Sequence, residues 1–495
     1  MTRDHQKINV GLLLEGTYPY IAGGVSGWVH ELIQEQSHLT FHITTILPPD
    51  ASLEYRYELP DNVVGINNVI LHRLQRGENM AGRAQQKLFQ NLETPLLNLQ
   101  ARARTRDLKK VMTLLRETNG QIGSKVLMDS EAVWVMMIRM YNTTMGDNSF
   151  LDYFWSWRAL LGGLYSMLLA EIPEADCYHA LCTGFAGLLL ARTRLDTEKP
   201  CLLTEHGIYT NERRIEIGAA DWLEDPRSQN LSVERNRFEK NLRDLWIETF
   251  VGYSKLCYEA CEKIFTLYEG NKDLQLEDGA DPARLFVIPN GIDFERYSSI
   301  ERSFEYPPTV ALIGRVVPIK DIKTYIRAVA ILHQSVNNLR AWIMGPDDED
   351  PDYFQECIEM VEHSQLQDVV EFTGKVKIDE YLGQIDVIVL TSLSEAQPLV
   401  ILEAGAAGVP SVATEVGACR EIIEGRSDEV PALGAGGIVC SLSSPGEVAQ
   451  ALQTLLTDPS FYESCSRNIK ERVRKYYNKK DQHKAYRDVY AQYVS

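Results

Sequence analysis

The chain has 495 residues, 44% hydrophobic and 24% charged, which is the composition of an ordinary globular protein long enough for two or three domains. Its formal net charge of −19 excludes generic nucleic-acid binding, which needs a basic field, while leaving room for a local basic site. The nine cysteines are odd in number and scattered; Cys177 with Cys182 and Cys257 with Cys261 are close pairs without a zinc-ribbon spacing, so reduced core thiols in a cytoplasmic protein are expected.

Ile8 to Leu14 reads as a first strand, its apolar run from Val10 to Leu14 being too short for a signal peptide. A loop rich in Gly, Tyr and Pro follows at Glu15 to Gly27, then a helix over Trp28 to Gln36 and strands over Phe41 to Leu47 and Val69 to Leu74. This alternation predicts a doubly wound parallel sheet. Residues 77–170 break the rhythm with a helical pattern and no strong strand signal. They hold a basic cluster, Arg102, Arg104, Arg106, Lys109, Lys110 and Arg116, which fits a solvated helix face or a docking face for an anionic partner. Asp152 and Arg158 interrupt the apolar stretch from Leu151 to Ala170, leaving it short of the ~18 residues of a membrane span. A buried helix is expected there, with an aromatic-rich surface for a membrane-embedded partner as the alternative.

The α/β rhythm returns with a strand over Asp176 to His179, a helix over Ala180 to Arg194 introduced by Thr183-Gly184, and a strand over Pro200 to Thr204. Residues 208–245 are polar and charged and predict a mobile loop plus a helix; a helix over 247–260 and strands over Lys263 to Leu267 and Leu285 to Pro289 follow, ending in the turn signal Asn290-Gly291. A second repetition starts near Pro307. Strands over Val310 to Ile313, Leu339 to Met344, Val369 to Phe372, Val387 to Leu390, Ser411 to Ala413 and Gly437 to Cys440 alternate with helices over Asp321 to Gln334 and Leu399 to Ala407. Pro398 fits the first turn of the latter helix, and the last 50 residues are helical. Two α/β domains of unequal size, joined near 297–307, account for the pattern.

Chemistry concentrates at strand ends. Gly23-Gly24-Val25-Ser26-Gly27 is a glycine-rich loop before a helix, able to bring backbone N–H groups close to phosphate, or simply a turn. It is not GxGxxG, so a dinucleotide site is not expected. Gly314-Arg315 and Lys320 lie on the loop after a buried strand, where a planar guanidinium and a point charge can neutralise a diphosphate, or can be solvated. His206 follows Glu205 at another strand end, as a satisfied loop residue or a hydrogen-bonding group for a substrate. Asp347-Asp348-Glu349-Asp350, with Asp352, reads as a solvated acidic turn. Glu395 and Glu403 bracket a strand–loop–helix unit with seven residues between them. Ligands of an open α/β sheet bind at that edge, and the helix N-terminus attracts phosphate. Two fixed acceptors around an anion site suit a ligand with hydroxyls on both sides of a phosphate, as a nucleotide sugar has.

In their order these pieces resemble a retaining GT-B glycosyltransferase of the family usually numbered four. The residues that carry the resemblance are Gly23-Gly24, Thr204 to Gly207, Ile288 to Asp293, Gly314-Arg315 with Lys320, Phe372 to Gly374, the Glu395/Glu403 pair, and Gly417 with Glu421-Ile422. The stretch EGTYPYIAGGVSGWVHELI, Glu15 to Ile33, and the helical insertion resemble one subgroup, PelF, the cytosolic glycosyltransferase of Pel exopolysaccharide synthesis in biofilm-forming bacteria. The resemblance implies two Rossmann-like domains facing across a cleft: an acceptor domain over 1–297 with its insertion at about 77–170, and a nucleotide-sugar domain over 298–477. A helix over 478–495 would cross back.

It also implies roles. Arg315 and Lys320 would hold the donor diphosphate, with Leu399 and Val400 at the helix N-terminus beside it and Gly23 and Gly24 contributing backbone donors. Glu403 would bind the ribose, Glu395 the donor sugar, and His206 the sugar from the N-terminal domain; Lys375 and Val376 would flank the uracil. The implied donor is UDP-glucose or a related UDP-hexose and the acceptor a growing polysaccharide. No metal is called for, and membrane-embedded synthase or export partners would recruit the chain to the inner membrane. One departure stands out: the family loop usually reads Glu-Gly-Phe-Gly-Leu, whereas this chain has Glu395-Ala396-Gln397-Pro398-Leu399. Pro398 lacks the N–H a glycine would offer, and the Gln397 amide is the expected substitute. Another GT-B enzyme, such as a UDP-sugar epimerase or a phosphorylase, and a non-catalytic UDP-binding assembly subunit are the competing readings.

Overall fold

The computed structural model describes residues 7–118, 122–145, 149–218, 241–303 and 305–493. The mobile loop expected within 208–245 falls largely on 219–240, outside the described residues. The chain divides into two compact units, one running to Thr266 with Lys272–Phe286 and the residues from Val489 onward, the other comprising Leu267–Asn271 and Val287–Asp488.

Continuous apolar runs build the first unit's sheet. Strands β1 (Asn9–Glu15), β2 (Thr40–Leu47), β3 (Val63–Ile70), β4 (Cys177–Ala180), β5 (Cys201–Glu205), β6 (Lys263–Thr266) and β7 (Leu285–Val287) lie in the order β3-β2-β1-β4-β5-β6-β7. The pairs from β3 through β6 are parallel, with Leu12 opposite both Ile43 and His179. Val10 and Leu12 to Leu14 are essentially inaccessible, as a strand covered on both faces requires. Strand β3 starts six residues before the predicted Val69, because Asn67 and Asn68 hide its apolar pattern. Their amides serve the fold, Asn67 donating to the Glu171 carbonyl at 2.8 Å and Asn68 to the Tyr20 hydroxyl at 2.8 Å.

Helix α1 (Gly24–Glu35) begins at the glycines, so Gly24 and Gly27 lie in its first turns and only Gly23 precedes it. The insertion is α2 (Gly82–Arg102), α3 (Thr105–Arg116), α4 (Ser124–Leu127), α5 (Glu131–Thr144) and α6 (Phe150–Leu169). Its buried positions keep helical spacing: Leu88, Leu92 and Leu96; Leu108, Val111 and Leu115; Val133, Met136 and Met140; Trp157, Leu160 and Leu164. They form one core with Leu13 and Ile46 of the sheet, so the insertion is part of this unit and not a separate body. Among the described residues no helix is long and apolar enough to cross a membrane. Helix α7 (Phe185–Thr197) starts later than predicted because Leu181 to Gly184 are spent leaving β4; α8 (Tyr209–Gly218), α9 (Leu242–Ala260) and α10 (Glu269–Glu277) follow. All nine cysteines are free, and eight of them are buried.

In the second unit, after α11 (Phe294–Ser298), strands β8 (Thr309–Ile313), β9 (Arg340–Met344), β10 (Val370–Gly374), β11 (Val387–Leu390), β12 (Ser411–Thr414) and β13 (Gly437–Cys440) form a parallel sheet in the order β10-β9-β8-β11-β12-β13. The connecting helices are α12 (Ile322–His333), α13 (Pro351–His363), α14 (Leu399–Ala406), α15 (Cys419–Ile423) and α16 (Pro445–Thr457), and α17 (Pro459–Tyr476) and α18 (Lys479–Ala491) close the chain. Pro398 is the N-cap of α14, one residue outside the helix. The strand order reverses between β8 and β11, which opens a crevice at their carboxyl ends.

Candidate active site

Two loops leave the carboxyl ends of β8 and β11 and are tied together. The Thr391 hydroxyl reaches the carbonyls of Lys320 and Asp321, each at 3.0 Å, and the Leu393 N–H donates to the Ile319 carbonyl at 2.8 Å. This pairing brings Lys320 and Glu395 into a direct ion pair, and the Ser392 hydroxyl donates to the same Glu395 oxygen at 2.7 Å. Arg315, exposed on the β8 loop, is paired through one guanidinium nitrogen with both carboxylate oxygens of Glu349, at 2.5 Å to Oε1 and 2.6 Å to Oε2. The acidic turn read as solvated therefore supplies a counter-ion, and Asp350 caps α13 by accepting from the Tyr353 N–H. Gly417 holds the loop from below. With φ at +51°, a Cβ there would lie 2.2 Å from the Ala396 carbonyl, and the Ala418 N–H donates to that carbonyl at 2.8 Å.

Glu403 lies inside α14. Its carboxylate accepts from the Tyr297 hydroxyl of α11 at 3.0 Å. Burial pushes the Glu403 carboxyl above the usual carboxylate range, an effect the Tyr297 bond opposes; burial together with Glu403 pushes the Tyr297 phenol up in turn. Leu399 is exposed and Val400 half-buried at the start of the same helix, where the first N–H groups have no partner within the helix. Lys375, exposed, and Val376, half-buried, follow Gly374 at the end of β10. The Gln397 amide is not offered to a ligand as expected. It bridges Asn290 in both directions, accepting from that N–H at 2.8 Å and donating to that carbonyl at 3.1 Å, and is itself buried.

The first unit presents a different edge. Glu205 ends β5 fully buried and accepts from Thr183, the Tyr209 N–H, Tyr258 and Gln275 at 2.9–3.2 Å; burial raises its carboxyl and these donors oppose the rise. This network fixes the next residue, His206, whose ring meets Trp28 edge-on at 4.8 Å. Desolvation pulls the His206 imidazole down to about 4, so it is neutral at pH 7. His206, Glu15, Tyr209, Glu212 and Arg213 line a cavity of about 400 Å3. Gly23, extended before α1, donates its N–H to the Tyr57 hydroxyl at 3.4 Å, and Gly24 opens the helix.

Tyr297, Glu349, Ser392 and Glu15 escaped the sequence reading. Glu349 was visible as part of an acid run, but nothing in the spacing paired it with Arg315; Tyr297 carries no local motif, and Glu15 was visible only as the first residue of the stretch Glu15 to Ile33, with no role attached to it.

Residues 8–283 match the family described as Domain of unknown function (DUF3492), and residues 307–458 match Glycosyl transferases group 1. The D-inositol 3-phosphate glycosyltransferase of Kineococcus radiotolerans is 29% identical over 202 residues, 37% of this chain and 46% of that protein. Its namesake from Corynebacterium glutamicum is 30% identical over 210 residues, 38% and 47% of the two chains. The chain thus spans about half the length of the curated relatives it matches. Among solved structures, sucrose-phosphate synthase of Thermosynechococcus elongatus aligns over 98% of this chain and 99% of its own at 17% identity and a TM-score of 0.56. Anabaena HepE in complex with UDP aligns over 98% and 100% at 13% identity and a TM-score of 0.58. At such identities the likeness is one of fold.

Proposed function

The chain belongs to the family described as DUF3492, on a GT-B fold whose residues 307–458 match Glycosyl transferases group 1, and from that premise we propose that it is a UDP-sugar-dependent glycosyltransferase. The observation that carries the proposal is the second unit's crevice, where Lys320 and Glu395 meet on the two loops of the strand-order reversal with Arg315 on one of them. A diphosphate in this crevice takes Lys320 and Arg315 as partners, with the N–H groups of Leu399 and Val400 beside it. Glu403, oriented by Tyr297, binds the ribose hydroxyls, and Lys375 and Val376 flank the uracil. Glu395 takes the hydroxyls of the sugar. In the first unit, His206, a neutral hydrogen-bonding group, and Gly23 and Gly24 are the residues that the resemblance assigns to the ligand.

Transfer proceeds with retention at the anomeric carbon. The sugar–phosphate bond breaks, Lys320 and Arg315 stabilise the charge on the leaving UDP, and the departing phosphate oxygen takes the proton of the acceptor hydroxyl as the new glycosidic bond forms. No side-chain nucleophile takes part. The donor is UDP-glucose or a related UDP-hexose, a reading supported by the UDP and UDP-glucose complexes of HepE. The acceptor is a growing exopolysaccharide of Pel type, with membrane-embedded synthase or export partners, a reading supported by the PelF-like stretch Glu15 to Ile33.

The test is UDP release by the purified chain from UDP-glucose, UDP-galactose and their N-acetylamino counterparts, with NMR of the product anomer. One donor is expected to dominate, and Lys320→Ala to lower release about 100-fold, the scale of losing one charge-stabilising group. Tight UDP binding without turnover on any donor and acceptor pair would remove the enzymatic reading.

A further inference from the structure

Both sheets reverse their strand order, between β1 and β4 in the first unit and between β8 and β11 in the second, so each has the crevice where an α/β fold takes anions. The second unit furnishes its crevice with cations. The first fills its own with a carboxylate. Glu15, at the end of β1, accepts from the Phe185 N–H at 2.7 Å, the Ala186 N–H at 3.3 Å, the Tyr209 hydroxyl at 2.7 Å and the Cys182 thiol at 3.5 Å. Those two N–H groups open α7, so the helix end that would attract a phosphate already holds an internal anion.

The surrounding wall has the same sign. Glu212 faces the cavity as a second carboxylate. Among the described residues of the lining, Arg213 is the one cation; its guanidinium stands 4.8 Å over the Tyr209 ring and pairs with Glu216 at 2.5 Å. His206 brings no positive charge at neutral pH. A cavity of about 400 Å3 has room for a sugar-sized ligand, but a phosphate or carboxylate entering it meets two carboxylates, Glu15 and Glu212, against one guanidinium among the described lining residues.

We infer that the first unit's cavity takes an acceptor end free of anionic groups, neutral or amino-bearing, and that Glu15 and Glu212 are the residues that exclude phosphorylated and uronic acceptors. The inference rests on the glycosyltransferase reading and separates this chain from relatives named for a phosphorylated acceptor, D-inositol 3-phosphate.

The test titrates the full-length chain, with and without UDP, against four probes by calorimetry: cellotetraose, a chitosan tetramer, a galacturonic acid tetramer and D-inositol 3-phosphate. The first two are expected to bind at least about tenfold more tightly than the last two, since like charges brought together at a recognition site are strongly disfavoured. Glu212→Gln, an exposed change that leaves the α7 contacts alone, narrows this gap; Glu15→Gln narrows it further where a thermal melt shows the variant folded. Equal or tighter binding of either anionic probe overturns the inference. So does failure of both the neutral and the amino-bearing tetramer to bind a chain that binds UDP. Absence of UDP binding counts against the donor reading instead, and the ranking of the probes in UDP-free protein is read separately.

Discussion

Arg315 and Lys320 are each matched by a carboxylate of their own unit, Glu349 and Glu395, so a diphosphate must displace or share an internal anion to gain them. The Arg315–Glu349 pair is half-exposed on both sides, and such pairs contribute little. Glu349→Gln is therefore expected to raise UDP affinity by a modest factor of about two to five, within the ~1 kcal/mol range of exposed ion pairs. Calorimetric titration reads the sign, and weaker binding would make Glu349 a support of the site instead of a competitor for it. The buried histidines give a pH signature. Burial holds His179 at about 3, with His206 adding to the effect, and His206 at about 4, both below the ordinary 6.5. The unfolded chain therefore takes up these protons first as pH falls. The stability tied to them is complete above pH 6.5 and is lost on descending toward the folded values. For His179, fully buried between Tyr490 and Thr204, the loss is on the order of 4 kcal/mol. Glu205, raised by burial, works in the opposite sense but equally in a His179→Gln variant. Urea unfolding of that variant between pH 7 and 4 should fall less steeply than that of the parent; parallel profiles would show that His179 does not titrate differently on folding.

The element that carries Glu395 depends on its neighbours. Gly417 leaves no room for a Cβ beneath the Ala396 carbonyl and has a left-handed backbone. Gly417→Ala should cost about 1–3 kcal/mol through strain and also weaken UDP binding, since the Glu395 loop must shift. Lower melting temperature with unchanged UDP affinity would separate the loop from the site. Helix α17 contributes Arg472, fully buried, whose guanidinium holds Glu429 and donates to the carbonyls of Ile422, Ile423 and Gly434. Arg472→Met strands the Glu429 charge and should cost about 3–5 kcal/mol in urea unfolding, against near-neutrality if the pair is dispensable. The strands of the second unit were legible in the sequence because runs such as Val387 to Leu390 are apolar without interruption, as a strand covered on both faces must be. Strand β3 was obscured by two asparagines whose bonds are tertiary. The site was legible as residue types at strand ends. Its internal pairing was not, because the Arg315–Glu349 and Lys320–Glu395 contacts span 34 and 75 residues, distances at which local pattern says nothing. The Gln397–Asn290 bridge spans 107.

At the scale of the whole molecule, two sheets of similar strand order have been given opposite electrostatic ends, an acid at the first unit's reversal point and a Lys–Glu pair beside an Arg at the second's. On the proposed function the donor nucleotide belongs to the second unit. UDP at 100 times its dissociation constant should stabilise the chain by about 2.7 kcal/mol, visible as a raised melting temperature that Glu403→Gln diminishes. The most direct test of the account is a calorimetric titration of UDP, ADP, GDP and CDP into the parent chain and into Lys320→Ala. The account predicts one UDP bound per chain, a preference for UDP over the other three, and an affinity loss of about ten- to a hundredfold in Lys320→Ala, the cost of removing a charged hydrogen-bond partner of a diphosphate. Absence of UDP binding, equal affinity for all four nucleotides, or undiminished affinity in Lys320→Ala would contradict it.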